Sequence, residues 1–123
     1  MTPLGIGSDI LEIERIREAY HRHGYKFLEK HFTSQEIAYC QKYADPLPHF
    51  AGRFAAKEAI VKALGTGISS EISWLDIEVL NLASGQPEVS FSNRVQQSFR
   101  SLKVLITISH CKTHATATAI AMH

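Results

Sequence analysis

Cysteine is scarce in this chain: two in 123 residues. Cys40 and Cys111 are too far apart for CxxC spacing, so neither a disulfide framework nor a structural zinc site is supported. Two free thiols in a reducing cytoplasm are expected. No apolar run approaches the ~20 residues of a membrane span, and the N-terminus lacks the basic-then-apolar order of a signal peptide. Neither a membrane-bound nor a secreted protein is therefore expected. The formal net charge is only +1, which argues against bulk nucleic-acid binding. Gly5-x-Gly7 begins like a dinucleotide fingerprint, but the third glycine is missing and the pair precedes the apolar residues, which speaks against that reading. Repeats, low-complexity stretches and linkers are also absent. At 45% hydrophobic, residues 1–123 are expected to form one domain around one core.

The most informative stretch is Phe50 to Gly67, FAGRFAAKEAIVKALGTG. Helical spacing puts Phe50, Phe54, Ile60, Val61 and Leu64 on one arc, with Gly52 and the alanines around most of the rest. A helix that is apolar or small nearly all round belongs inside. Yet it carries Arg53, Lys57, Glu58 and Lys62, and buried charge is unfavourable unless it is paired or meets a ligand. Glu58 and Lys62 have the favourable i,i+4 order, whereas Arg53 and Lys57 are an i,i+4 pair of like sign. One carboxylate among three cations is better explained by a polyanion and a metal than by self-pairing. Gly65-Thr66-Gly67 is expected to stop the helix and to leave backbone N–H groups free for an anion.

Leu4 to Ile13 reads as a strand whose backbone something approaches closely at Gly5 and Gly7, with Asp9 interrupting the apolar run. A helix follows from Ile13, with Ile13, Ile16 and Tyr20 on one side, Arg15 and Arg22 on the other, and Gly24 at its end. Residues 15–31 hold five Lys/Arg against two Asp/Glu, which suits a solvated face or a docking surface for an acidic partner. A short helical turn at Phe27–His31 precedes a Thr33-x-x-Glu36 capping box that opens a helix to about Tyr43. Ala44 to Pro48 reads as a loop. Beyond the central helix, a strand over Leu75–Leu82 turns at Ser84-Gly85-Gln86-Pro87 into Glu88–Ser92. Asn93 is the expected cap of a helix to Leu102. Val104–Ser109 and Ala115–Met122 form a last hairpin, across whose turn His110 and His114 need not converge on a metal.

Three stretches resemble one family, the bacterial holo-acyl-carrier-protein synthases, which are small phosphopantetheinyl transferases. GIGSDILEIERI (5–16) is similar to the family's opening motif, FAGRFAAKEAIVKALGTGI (50–68) to its signature helix, and ITISHC with the Ala-rich strand after it (106–121) to its closing hairpin. Gly85-Gln86-Pro87 resembles its Gly-x-Pro turn. His114 and Leu64 depart from it, standing where Tyr and Phe are common. The resemblance implies an α+β domain, a small mostly antiparallel sheet packed around the central helix at about 50–64. It implies transfer of 4′-phosphopantetheine from coenzyme A to a serine of an acyl carrier protein in support of fatty acid biosynthesis, releasing adenosine 3′,5′-bisphosphate. Carried over, Asp9 and Glu58 hold Mg²⁺, Glu58 and Lys62 are catalytic, and Arg53, Lys62, Gly65, Thr66, Gly67 and His110 meet the coenzyme. A homotrimer with sites between protomers is implied as well.

Elementary chemistry agrees. Mg²⁺ takes oxygen ligands and keeps several waters, so one or two carboxylates and substrate phosphates suit it. Phosphoryl transfer needs positioning and charge neutralisation more than covalent help. The base for the carrier serine stays open between Glu58 and a metal-bound water. Arg15 and Arg22 are the expected docking residues for the acidic carrier. Two other readings use the same residues: a Mg²⁺-dependent phosphohydrolase of a small pyrophosphate, which would cleave coenzyme A without a carrier, and a non-catalytic coenzyme- or nucleotide-binding module, which would tolerate loss of Asp9.

Overall fold

Gly5 and Gly7 let the first strand lie directly on the backbone of the central helix. In the computed structural model, which describes residues 2–123, β1 (Pro3–Glu12) runs straight into α1 (Ile13–His23). A Cβ built on Gly5 would stand 2.2 Å from the Ala63 carbonyl oxygen, and one on Gly7 2.1 Å from that of Ala59. What approaches the strand so closely is therefore the helix. Ile13 and Ile16 are buried, whereas Tyr20, expected beside them, is exposed. Gly24 ends α1 at φ 63°, a conformation that favours glycine, and α2 (Tyr25–His31) sets off from there.

The Thr33 capping box forms in full: Thr33 N–H donates to Glu36 Oε1 at 2.8 Å and Glu36 N–H to Thr33 Oγ1 at 3.2 Å. It opens α3 (Ser34–Cys40), which ends three residues before Tyr43. There Lys42 and Tyr43 bond back only three residues, to Tyr39 and Cys40, a tightening that closes the last turn. The central helix, α4 (Leu47–Leu64), starts earlier than Phe50. Proline lacks only an N–H that a first helical turn leaves unpaired anyway, so Pro48 belongs to the helix and not to a loop. Asp45 Oδ1 accepts from Leu47 N–H at 3.2 Å and steadies this start.

The strand expected from Leu75 begins only at β2 (Ile77–Asn81), because Trp74–Asp76 is a 3-10 turn in which Asp76 accepts from Ser73. β2 pairs with β3 (Pro87–Phe91). α5 (Asn93–Ser98) is entered at Ser92, so Asn93 is its first residue and not its cap, and it stops short of Leu102, near Ser101 at φ 60°. β4 (Lys103–His110) and β5 (His114–Met122) make the closing hairpin. β5 lies between β1 and β4 in one antiparallel sheet, and β2–β3 form a second. Alternation sends Ala115, Ala117, Ala119 and Ala121 inward toward α4, all buried. Two apolar clusters, both built on α4 and both touched by Leu11, make up the core. The fold is α+β, as expected.

Lys57 corrects the reading of the central helix's charges. Its ammonium is fully buried and bonds Glu36 Oε1 at 2.7 Å, the His31 carbonyl at 2.8 Å and the Trp74 carbonyl at 2.9 Å. Glu36 Oε2 accepts in turn from Val79 N–H at 2.7 Å. One ion pair thus ties α2, α3, the 3-10 turn and β2 to α4, and Lys57 needs no ligand. Burial pulls the Lys57 ammonium below its usual range, against the opposing pull of Glu36. Lys57→Met or Glu36→Leu alone leaves an uncompensated buried charge and should lower stability by about 3–5 kcal/mol, while the double substitution should lose far less than the sum. Denaturant unfolding of the three variants measures this; additive losses would show that the two side chains are not energetically coupled.

Candidate active site

Asp9 is two residues after Gly7 and so shares its face of β1, the face against α4. Its register partner on β5 is Ala117. Lys62, on the last turn of α4, donates from Nζ to Asp9 Oδ1 and to the Ser8 carbonyl, each at 3.0 Å. The Lys62 ammonium thus pairs across to β1 and not with Glu58 one turn below, since no Glu58 ion pair forms among the described residues. Asp9 and Glu58 line one cavity of about 340 Å³ with Leu11, Arg15, Phe27 and Phe54. Burial raises the Glu58 carboxyl above its usual range; the Asp9 charge adds to this and Lys62 opposes it. A carboxyl whose ionisation a neighbouring carboxylate opposes lies where positive charge is favoured.

Arg53 lies elsewhere. Nine residues before Lys62, it is on the opposite side of α4, and it is 4% exposed. Its guanidinium stacks 4.3 Å above the Tyr39 ring, and Nη2 donates to Asn81 Oδ1. Its Nε is buried without a partner. Arg53 and His110, which is exposed at the end of β4, line a second cavity of about 250 Å³ with Tyr39, Tyr43, His49 and Asn81. The expected residues therefore fall into two sets, Asp9, Glu58 and Lys62 in one place, Arg53 and His110 in another.

The N–H groups expected to be free at Gly65–Gly67 are not. Gly65 donates to the Lys62 carbonyl at 3.1 Å, and Thr66 and Gly67 to that of Val61 at 3.1 and 3.3 Å. Helix closure consumes them. What the turn offers is bare backbone: Gly65 at φ 76° and Gly67 at φ 60°, with nothing within 4 Å of a Cβ at either, and the Thr66 hydroxyl, which donates to the Gly67 carbonyl at 2.8 Å. His114 Nδ1 lies 2.8 Å from Thr113 Oγ1. No group of three or more His, Cys, Asp or Glu gathers into a metal cluster among the described residues. Cys40 is buried and Cys111 exposed, both free thiols as expected. No helix of the described residues is long and apolar enough to cross a membrane. Arg15 and Arg22 are both exposed on α1, two turns apart on one side, with Arg15 at the wall of the carboxylate cavity.

Sequence reading missed Tyr39, His49 and Asn81. His49 is one turn before Arg53, a spacing that becomes visible once α4 is started at Leu47 instead of Phe50.

A carboxylate pair and a lysine meet where a strand crosses a buried helix of a small α+β domain. The chain belongs to the 4′-phosphopantetheinyl transferase superfamily, whose family profile matches residues 5–119. It is similar to the holo-[acyl-carrier-protein] synthase of Protochlamydia amoebophila (strain UWE25), at 56% identity over 117 residues, 95% of this chain and 96% of that protein. The crystal structure of the holo-[acyl-carrier-protein] synthase from Neisseria meningitidis superposes with a TM-score of 0.91 at 29% identity, covering 99% of this chain and 100% of that one. The enzyme of the same name from Helicobacter pylori, in complex with coenzyme A, gives 0.87 at 35% identity over 95% of this chain and 99% of that one.

Removing the Asp9 charge should let Glu58 release its proton more readily. In Asp9→Asn the Glu58 carboxyl should titrate at lower pH than in the wild type, as read by carboxyl carbon NMR. An unmoved midpoint would mean that the two carboxylates are not coupled.

Proposed function

We propose that this protein transfers the 4′-phosphopantetheine group of coenzyme A to a serine of an apo acyl carrier protein, with Mg²⁺, releasing adenosine 3′,5′-bisphosphate for the needs of fatty acid biosynthesis in the cytoplasm. The observation that carries the reading is the convergence of Asp9 and Glu58 on one partly apolar cavity, with Lys62 bonded to Asp9, in a chain whose relatives are named for this activity.

Asp9 and Glu58 are the residues that would hold Mg²⁺. The donor set is all oxygen, and the Lys62 ammonium already resting on Asp9 at 3.0 Å marks a position that welcomes positive charge. When bound, the ion supplies neutralisation of the coenzyme's pyrophosphate. The remaining chemistry belongs to side chains. The serine oxygen attacks the pantetheine-bearing phosphorus, the P–O bond to the adenosine bisphosphate breaks, and the serine proton passes to Glu58, a carboxylate at the wall of the cavity. Lys62, half exposed, turns from Asp9 to the leaving phosphate as charge builds there. Phe27, Phe54 and Leu11 keep that wall of the cavity dry, which strengthens these electrostatic effects. The open backbone at Gly65–Gly67 gives the coenzyme a place to lie.

A trimer with shared sites fits two features. Ile6 and Ile10 stand 69% and 68% exposed on the outer face of the sheet, and Ile120 and Leu105 continue the row from Ile6 across β5 and β4. Monomers rarely leave such a patch uncovered. The second feature is that the Arg53–His110 cavity and the Asp9–Glu58 cavity of one chain share no lining residue, as two half-sites completed by neighbouring copies would not. Arg15 and Arg22 would receive the acidic carrier, with Arg22 the cleaner probe because it stands clear of the carboxylate cavity.

Mass spectrometry of an apo acyl carrier protein after incubation with this protein, coenzyme A and Mg²⁺ should show a gain of one phosphopantetheine, lost with a chelator and reduced by at least about 100-fold in folded Asp9→Ala and Glu58→Ala. Coenzyme A cleaved without carrier modification would indicate the hydrolase, and intact bound coenzyme A a binding module. Light scattering should give a trimer for the wild type and a smaller species for Ile6→Glu; a monomeric wild type that modifies the carrier would refute the shared site.

A further inference from the structure

His49 is unused by the reaction described above. Its ring stacks on that of Tyr43, with centroids 3.5 Å apart at 15°, and meets the His110 ring edge-on at 5.5 Å. The two aromatic contacts and the helical backbone hold it at the wall of the second cavity, one turn from Arg53. The groups facing it come from every neighbouring element. Arg53 lies on the same helix, His110 comes from β4, and Asp45 from the segment before α4. Tyr43 carries a hydroxyl 2.9 Å from that of Tyr39, above whose ring Lys42 Nζ stands at 4.7 Å.

This cavity is short of negative charge. Arg53 is buried with one N–H unpartnered, its other named partner is a neutral amide, and the nearby carboxylate, Asp45, is exposed and already accepts from Leu47. Burial, His110 and Arg53, in that order, hold the His49 imidazole below its usual range, against the pull of Asp45. The field that disfavours a charged His49 in the free protein reverses once a dianion sits between these groups, because positive charge there is then stabilised by the ligand.

We propose that His49 is a further binding residue of the Arg53–His110 cavity, which takes up a proton when a phosphate monoester enters and so becomes a cation of the site beside Arg53. The inference rests on the reading that this cavity receives a phosphate of coenzyme A. Its consequence is an affinity that tightens as pH falls, with the sign set by proton uptake: protons bound with the ligand mean that more protons favour the ligand.

The test is calorimetric titration of coenzyme A into the whole protein at about pH 6 and about pH 8, for wild type, His49→Phe, His49→Arg and Arg53→Ala. The coenzyme's own phosphate also titrates near pH 6, but equally in every variant. The wild type should gain at least about fivefold more affinity on acidification than His49→Phe, in which the stack on Tyr43 is kept and the proton lost. His49→Arg, a permanent cation, should bind at the higher pH about as tightly as the wild type does at the lower. A pH dependence equal in all three, or equal weakening by Phe and Arg at both pH values, overturns the role of His49 while leaving the cavity's ligand in place. Arg53→Ala with undiminished affinity overturns the placement of the coenzyme here, and the inference with it.

Discussion

The contact on which the rest of this structure depends is backbone against backbone, β1 on α4. With no side chain at Gly5 and Gly7, the strand comes within contact distance of the Ala59 and Ala63 carbonyls, and Ala117, Ala119 and Ala121 let β5 follow. Small residues on both sides exchange side-chain volume for proximity. Proximity is what the site needs, because Asp9 is a short carboxylate two residues beyond Gly7 and reaches Lys62 only if the strand lies this close. A Cβ at Gly7 would overlap the Ala59 oxygen and push the strand outward, so a packing constraint and a chemical one are the same constraint.

On this frame α4 distributes its charges by direction. Lys57 points into the interior, where Glu36 and two carbonyls satisfy all three of its donors. Glu58 and Lys62 emerge toward β1. Arg53 emerges on the far side, under Tyr39. A helix that crosses the middle of a small domain can serve two surfaces at once, and here it builds a carboxylate cavity on one and a cationic cavity on the other. On the proposed reading these are the two halves of one site, completed across a symmetric interface whose apolar strip is the outer face of the sheet. The same arrangement explains why a helix so apolar carries so much charge: Lys57 stabilises the fold, Arg53 faces a cavity, and Lys62 pairs with Asp9.

Much of this was legible. The all-round apolar character of residues 50–64, the glycine stop, the Thr33 capping box and the closing hairpin are local patterns whose physics is complete within a few residues, and each forms as read. The carboxylate pair was legible through motif resemblance, since Asp9 and Glu58 are far apart in the chain. The errors were of another kind. Pro48 biases its predecessor away from helix, yet a first helical turn accepts it. Alternation suggests a strand at Asp76 and capping preference suggests Asn93, whereas Asp76 accepts from Ser73, Ser92 and Arg94, and Ser92 takes the cap position.

By itself the sequence determined which segments are helix and strand, that the helix at 50–64 would be interior, and which side chains carry charge within it. It could do so because periodicity, capping and turn chemistry are short-range. Only the tertiary structure decided what each charge does. Lys57 finds Glu36 across 21 positions of chain, Lys62 finds Asp9 across 53, and Arg53 meets His49 and His110 in a cavity lined from α3, α4, β2, β3 and β4. Those partners are set by the direction each side chain leaves α4 and by how closely β1 approaches it, quantities that exist only once the chain has folded.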